Sequence, residues 1–252
     1  MVDYADIMIV TYNRLELTKR TLEDLLNTTD FFFNLIIVDN GSQDKTVEYL
    51  QKFCLDNSHK GFFKDYIIKE NKENLGIAIG RNQCLSLSKE NWLVTFDNDV
   101  LVPKGWLTEC VDILKINRQY ACIGVNFEGK NYPAVKLNGK EFQDKPRGNL
   151  GTACMVFQRY LHKILGYFNY LDYGKYGLED SDFGARISFA LKMKLGYLSS
   201  PGVHIGSGSY DVGPYRAYKT AEHDKYLHKF NENCRLYCNK QKQLYIPFKD
   251  IY

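Results

Sequence analysis

No apolar run in this sequence approaches the roughly 20 residues that a membrane-crossing helix needs, so a spanning helix is not expected. An excess of one charge is also missing. The net charge of +3 is too small to point by itself to nucleic acid or to an anionic surface. The opening residues, M-V-D-Y-A-D, carry no basic stretch followed by an apolar one, so no secretory leader is read there. Seven cysteines make an odd number, and no two of them stand as Cys-x-x-Cys. Cys234 and Cys238 lie one helical turn apart, but a zinc site needs more ligands than that pair supplies. The expected thiols are therefore reduced and mostly packed among apolar neighbours, as in a cytoplasmic protein. Two phosphate-binding loops are missing as well. No glycine-rich dinucleotide fingerprint follows the first apolar run, no G-K-[ST] loop occurs, and Gly76 and Gly80 are too sparse to count as either.

What is present suits one large α/β domain, or such a domain with a short appendage. The chain has 252 residues, 44% of them apolar and 25% charged, enough to bury a sizeable core. Apolar runs at 7–10, 35–38, 66–68 and 92–96 read as strands, and each is followed by apolar residues at helical spacing. Asp44 is placed to cap the second helix, and Pro103 to open the one that runs to Ile116. This alternation predicts a mainly parallel sheet covered on both faces. The second half is less regular. Strands are expected at 121–127 and 153–157, with a polar excursion of no clear period over 128–149 and a short helix ending at Leu165.

The polar residues of the first half gather in one kind of place. Thr11-Tyr12, Asp39 and Asp97-Asn98-Asp99 each stand at the C-terminal end of an expected strand. In open α/β sheets that edge forms the ligand crevice. Asp97 and Asp99 share a face of extended chain, and a hard divalent cation relieves the repulsion between them. A polar strand end explains a D-x-D taken alone equally well. The expected ligand is a nucleotide held without glycine-rich loops, its phosphates neutralised by metal and by Arg81. Pairing of Arg81 with an acid on a neighbouring helix remains an alternative. Farther on, Glu179, Asp180 and Asp182 open a helix in G-L-E-D-S-D-F. Such acids complement the helix dipole whether or not they have a further role. The nearby Tyr170, Tyr173 and Tyr176 suit either sugar faces or loop packing.

Seven segments occur in one order: V-T-Y-N-R (10–14), I-V-D-N-G-S (37–42), N-L-G-I-A-I-G-R-N (74–82), D-N-D (97–99), G-T-A-C-M-V-F (151–157), G-L-E-D-S-D-F (177–183) and G-Y-L-S-S-P-G-V-H (196–204). In that order the chain resembles a family 2 glycosyltransferase of the GT-A fold, over about residues 5–206. The resemblance implies an inverting transferase that moves a sugar from a nucleotide sugar, UDP-linked by preference, to a hydroxyl of a saccharide or glycoconjugate acceptor. It implies that Thr11, Tyr12, Asn13, Asp39, Gly76, Arg81, Asp97 and Asn98 hold the donor. Asp99 and His204 would ligate Mn²⁺ or Mg²⁺. Asp180 would be the catalytic base, with Asp182 its competitor, and Glu179 and Asp182 would meet the acceptor. A GT-A-like nucleotidyltransferase, transfer to a nucleic-acid acceptor and a non-catalytic sugar- or nucleotide-binding module are the alternatives.

Residues 207–252 fall outside the resemblance and read as a flexible Gly-Ser loop and a basic helical extension. From Tyr215 this segment carries Arg216, Lys219, Lys225, Lys229, Arg235, Lys240, Lys242 and Lys249 against four acids. Such a charge run suits peripheral contact with a membrane or a polyanionic acceptor, or a plain solvated helix face.

Overall fold

Strand and helix alternate through the first half as the periodicity predicts. The structure, a computed structural model, describes residues 2–145, 150–206 and 214–250. In chain order it runs β1 (Ala5–Thr11), α1 (Leu15–Thr28), β2 (Phe33–Asp39), α2 (Thr46–Asn57), β3 (Phe63–Glu70), α3 (Ile77–Leu87) and β4 (Trp92–Asp97). Next come β5 (Val100–Leu101), α4 (Trp106–Ile116), β6 (Tyr120–Gly124), β7 (Ala134–Leu137), β8 (Lys140–Lys145), β9 (Cys154–Gln158), α5 (Arg159–Leu165) and α6 (Tyr170–Tyr173). The remainder is α7 (Glu179–Ala185), a single π-helical turn (Arg186–Ala190), β10 (Lys194–Leu198), β11 (Val203–His204) and α8 (Pro214–Cys238). Among the described residues, no helix is long and apolar enough to cross a membrane.

Among the described residues, nine strands form one sheet in the order β3-β2-β1-β4-β9-β6-β10-β8-β7. The four strands from β3 to β4 are mutually parallel, whereas β9 lies antiparallel between β4 and β6. Register does the positioning. Thr11 sits opposite Asp39 and Val10 opposite Asp97, so three chain segments deliver their polar ends to one sheet edge. Because β9 runs the other way, with Cys154 opposite Phe96, the residues just before β9 reach the same edge.

Alternation along the strands divides the core between two faces. Ile7 and Ile9 point into a layer with Leu22 and Leu25 of α1, Leu50 of α2 and Trp106 of α4. Met8 points the other way, toward Cys84 of α3, Leu161 of α5 and Phe183 of α7.

The structure differs from the expectations in three places. Lys45, not Asp44, is the N-cap of α2 and has no side-chain cap bond; Asp44 accepts the Thr46 hydroxyl and, at 3.0 Å, the Leu15 amide, and so serves the first turn of α1. Arg14, which precedes α1 in a left-handed conformation (φ 64°), has no side-chain cap bond, and the Asp44 carboxylate supplies one from 29 residues away. The stretch read as a polar excursion contains a hairpin over Ala134–Lys145: β7 and β8 turn at Asn138-Gly139, both at positive φ, and β8 pairs with β10. The helix that Glu179, Asp180 and Asp182 open is α-helical only through Ala185, and the Leu191 amide then reaches back to the Arg186 carbonyl across a π turn. The Gly-Ser segment at 207–209 lies outside the described residues.

The C-terminal segment closes onto α6, α7 and the π turn. Arg186, fully buried, donates to Asp182 Oδ2 at 2.8 Å and to the carbonyls of Leu165, Tyr167 and Leu244. Arg186→Met would strip the buried Asp182 of its ionic partner and orphan those carbonyls. Removing one member of a buried pair costs about 3–5 kcal/mol. The expected result is a lower urea midpoint with an unchanged slope.

Candidate active site

One cleft of about 740 Å³ opens at the edge where β1 and β4 end. The end of β1 contributes Thr11, Tyr12, Asn13 and Arg14, and the end of β4 contributes Asp97, Asn98 and Asp99. Gly76 and Arg81 enter from α3, Glu179 and Asp180 from α7, and His204 from β11. His204 arrives through a two-residue ribbon in which β11 pairs antiparallel with β5, placing His204 opposite Val100. The Ile205 amide then donates to the Asp99 carbonyl at 2.9 Å.

That ribbon completes a cluster. One ligand atom each from Asp97, Asp99 and His204 lies within 4.8 Å of the others, and His204 Nδ1 is 3.5 Å from Asp99 Oδ1. Two carboxylate oxygens and an imidazole nitrogen are a donor set that fits a divalent cation, with the nitrogen favouring Mn²⁺ over Mg²⁺. The other Asp99 oxygen accepts Arg14 Nη1 at 3.0 Å, while Arg14 Nη2 donates to the Gly206 carbonyl at 2.9 Å. Sequence reasoning gave Arg14 no role, although the segment T-Y-N-R contains it.

Arg81 is the second organising cation. Its Nη2 donates to Asp97 Oδ1 at 2.9 Å and its Nη1 to Glu179 Oε1 at 2.8 Å, so it joins β4 to α7 across the cleft wall. Burial works against the guanidinium charge, but Asp97 and Glu179 outweigh it and raise its pKa. The pairing with neighbouring acids, one of the two alternatives for this arginine, is thus what the fold contains. Glu179 is itself buried. Burial first, and then the adjacent Asp180, push its carboxyl up to about 7 against the opposing pull of Arg81.

Two expected site residues do not line the cleft. Asp39 lies just behind Thr11, buried, accepting the Thr11 hydroxyl at 2.8 Å and the Ser42 amide at 2.7 Å. Asp182 is fully buried on the back of α7, bonded to Tyr173, Tyr237 and Arg186. At 3.6 residues per turn it stands about 200° around the helix from Asp180. The expectation that Asp182 meets the acceptor or competes as base does not fit this position. Asn98, on the cleft wall, donates to the Thr18 hydroxyl at 3.0 Å.

Gly76 is where α3 meets the loop before α7. Its φ is 93°, and a Cβ there would stand 2.3 Å from the Lys175 carbonyl, which accepts the Ile77 amide. Lys175 lines the cleft and, like Arg14, was not singled out in the sequence.

A large, mostly parallel sheet flanked by helices on both faces is the fold of GT-A glycosyltransferases. The model of the family described as glycosyl transferase family 2 matches residues 6–166, and the chain belongs to that family. It is 36% identical over 101 residues to the uncharacterised glycosyltransferase YfnE of Bacillus subtilis, covering 40% of this chain and 24% of that protein. It is 24% identical over 125 residues to chondroitin synthase of Escherichia coli, covering 49% of this chain and 17% of that protein. The matches thus span a quarter or less of these relatives' own length. Among solved structures, a mannosyltransferase from Pyrobaculum calidifontis in complex with GDP-Man and Mn²⁺ aligns with TM-score 0.67 at 16% identity, over 93% of this chain and 65% of that one. GalNAc-T7 with UDP, GalNAc and Mn²⁺ aligns with TM-score 0.62 at 13% identity, over 91% and 50%.

The Glu179 carboxyl fixes a pH dependence. It titrates near 4.5 when free and near 7 in the fold. Between those values the folded protein keeps a proton that the unfolded chain has released. This group's contribution therefore falls as pH rises from about 4.5 to about 7 and levels off above. Melting curves across that window should show a Tm loss in the native sequence that Glu179→Gln flattens.

Proposed function

We propose that this chain transfers a glycosyl group from a nucleoside-diphosphate sugar to an acceptor hydroxyl, with inversion at the anomeric carbon. The carrying observation is that Asp97, Asp99 and His204 share one cleft with Glu179 and Asp180. Thr11, Tyr12 and Asn13, on the β1 end of the cleft, would hold the nucleotide, with Asp39 supporting Thr11 from behind. Asp99 and His204 would hold the cation, with Asp97 beside them toward the donor sugar. A divalent cation there would supply Lewis-acid stabilisation of the departing diphosphate.

The remaining chemistry falls to the chain. Asp180 accepts the proton of the attacking hydroxyl as the new bond forms. Glu179, whose raised pKa lets it donate as well as accept near neutrality, orients acceptor hydroxyls. Arg81 holds Glu179 and Asp97 at a fixed separation, so donor and acceptor contacts are set together. A single base and a single displacement give inversion, as in the corresponding glycosidase geometry. The reading favours UDP as the nucleotide and Mn²⁺ as the ion. Solved structures of the same fold that hold UDP or GDP-Man, each with Mn²⁺, support that range of donors. The acceptor belongs to a surface polysaccharide or glycoconjugate, in keeping with the similarity to chondroitin synthase. Free cysteines, five of them buried, support work in a reducing compartment. Peripheral membrane contact gains less support, because Lys225 and Lys229 of α8 pair with Glu222 and Glu232.

The test is a panel of UDP- and GDP-sugars scored for nucleoside-diphosphate release, with and without Mn²⁺. Mn²⁺ should raise the Tm of the native sequence and leave that of Asp99→Ala unmoved, since only a ligand that binds the folded state stabilises it. Full turnover in excess EDTA overturns the metal assignment. Asp180→Asn should lower transfer by about 10²–10⁴-fold while nucleotide affinity survives. Loss of nucleotide binding in that variant would instead make Asp180 structural.

A further inference from the structure

The back of α7 is held by a polar hub whose outer half comes from α8. Asp182 Oδ1 accepts the Tyr173 hydroxyl at 3.0 Å and the Tyr237 hydroxyl at 2.8 Å, and Oδ2 accepts Arg186 Nε at 2.8 Å. Asn233 Nδ2 donates to the Tyr173 hydroxyl at 2.8 Å and to Asp172 Oδ2 at 3.0 Å. Lys242 closes the ring by donating to Asp172 Oδ2 and to Asn233 Oδ1. Tyr173, Asp182, Arg186, Asn233 and Tyr237 are all buried. One more α8 residue bears on the same wall from above. A Cβ on Gly174 would stand 2.5 Å from the Tyr226 hydroxyl, and one on Gly177 3.2 Å from the Tyr226 ring.

α7 cannot hold its own orientation. It has seven residues, continues into a π turn, and is far shorter than the roughly 12–15 residues at which an isolated helix becomes even marginal. Arg81 fixes it from the front through Glu179. Phe183 packs α7 against Phe157 and Phe168, and the polar anchorage of Asp182, on the side opposite Asp180, adds a directional constraint on rotation about the helix axis.

We propose that Tyr237 and Asn233 are positioning residues: acting through Asp182 and Tyr173, they set the rotation of α7 and so place Glu179 and Asp180 in the cleft. The proposal rests on the reading of Asp180 as proton acceptor and extends the working part of the enzyme into a segment beyond the residues that the family model matches. A misplacement of about 1 Å in a reacting group can cost on the order of 10²-fold in rate. α8 therefore acts on turnover without touching substrate.

Tyr237→Phe tests this with the smallest change. It keeps the ring and its packing, and Asp182 keeps Tyr173 and Arg186, so the fold survives. Ile113→Val, a core truncation in α4 remote from the hub, controls for lost stability alone. Three measurements are made on the full chain: amide hydrogen exchange, calorimetric affinity for UDP with Mn²⁺, and nucleoside-diphosphate release from a sugar nucleotide that the native sequence turns over. In Tyr237→Phe the amides of α7 should exchange faster while those of β1 and β4 keep their protection. UDP affinity and donor KM should hold, and kcat should fall about tenfold or more. Ile113→Val should keep kcat. A kcat within about twofold of native, or exchange that quickens equally in β1 and α7, overturns the proposal. If the native sequence turns over no sugar nucleotide, the functional reading fails, and the exchange and UDP measurements alone decide whether Tyr237 sets α7.

Discussion

Four carboxylates share one cleft, and the repulsion among them is the constraint that the rest of the site satisfies. Asp97, Asp99, Glu179 and Asp180 come from two elements far apart in sequence, and two of them are buried. Like charges at these distances in a medium less polar than water oppose the approach of α7 to β4. Arg81 offsets that opposition by binding one acid on each side. Arg14 neutralises Asp99, and Glu179 relieves the remainder by holding its proton to about 7. Without Arg81, burial of Glu179 beside Asp180 would lack its main compensation.

Much of this was legible in the sequence because the rule that brings it together is geometric. Polar residues at the C-terminal ends of parallel strands meet at one edge, so Thr11 and Asp97 could be placed in a common cleft from position alone. His204 needed the family resemblance. The ribbon of β5 and β11 that carries it has two residues per strand, too few to leave a periodicity. Asp182 was misplaced for the opposite reason. Three acids in one short segment look alike as sequence, and only helical rotation, together with the buried partners Tyr173, Tyr237 and Arg186, separates an acid on the cleft from one behind it.

Other differences had a signal that was present and unused. Asn138-Gly139 is strong hairpin chemistry, flanked by V-K-L and K-E-F, and it marks the β7–β8 turn inside a stretch read as aperiodic. Asp44 shows the reverse case. A carboxylate just ahead of its own helix predicts a local cap, yet the donor it satisfies at α1 is 29 residues away. Nothing in a linear reading shows that distance closing. Arg14 was hidden in the same way, since its partner Asp99 lies 85 residues downstream.

The hub behind α7 also has an order in time. The Arg186–Asp182 pair is four residues apart and forms as soon as its turn exists, whereas the Tyr237 hydroxyl lies 55 residues later. The bond between Gln83 and Asp250 closes over 167 residues. A nascent chain emerging from the ribosome N-terminus first can therefore assemble the β1–β4 sheet, with its half of the cleft, well before α8 arrives to fix the rotation of α7. Long-range closures of this kind are slow, because loop entropy is lost before the contact rewards it. The β1–β4 side of the cleft is thus built early in synthesis, and the α7 side is completed late.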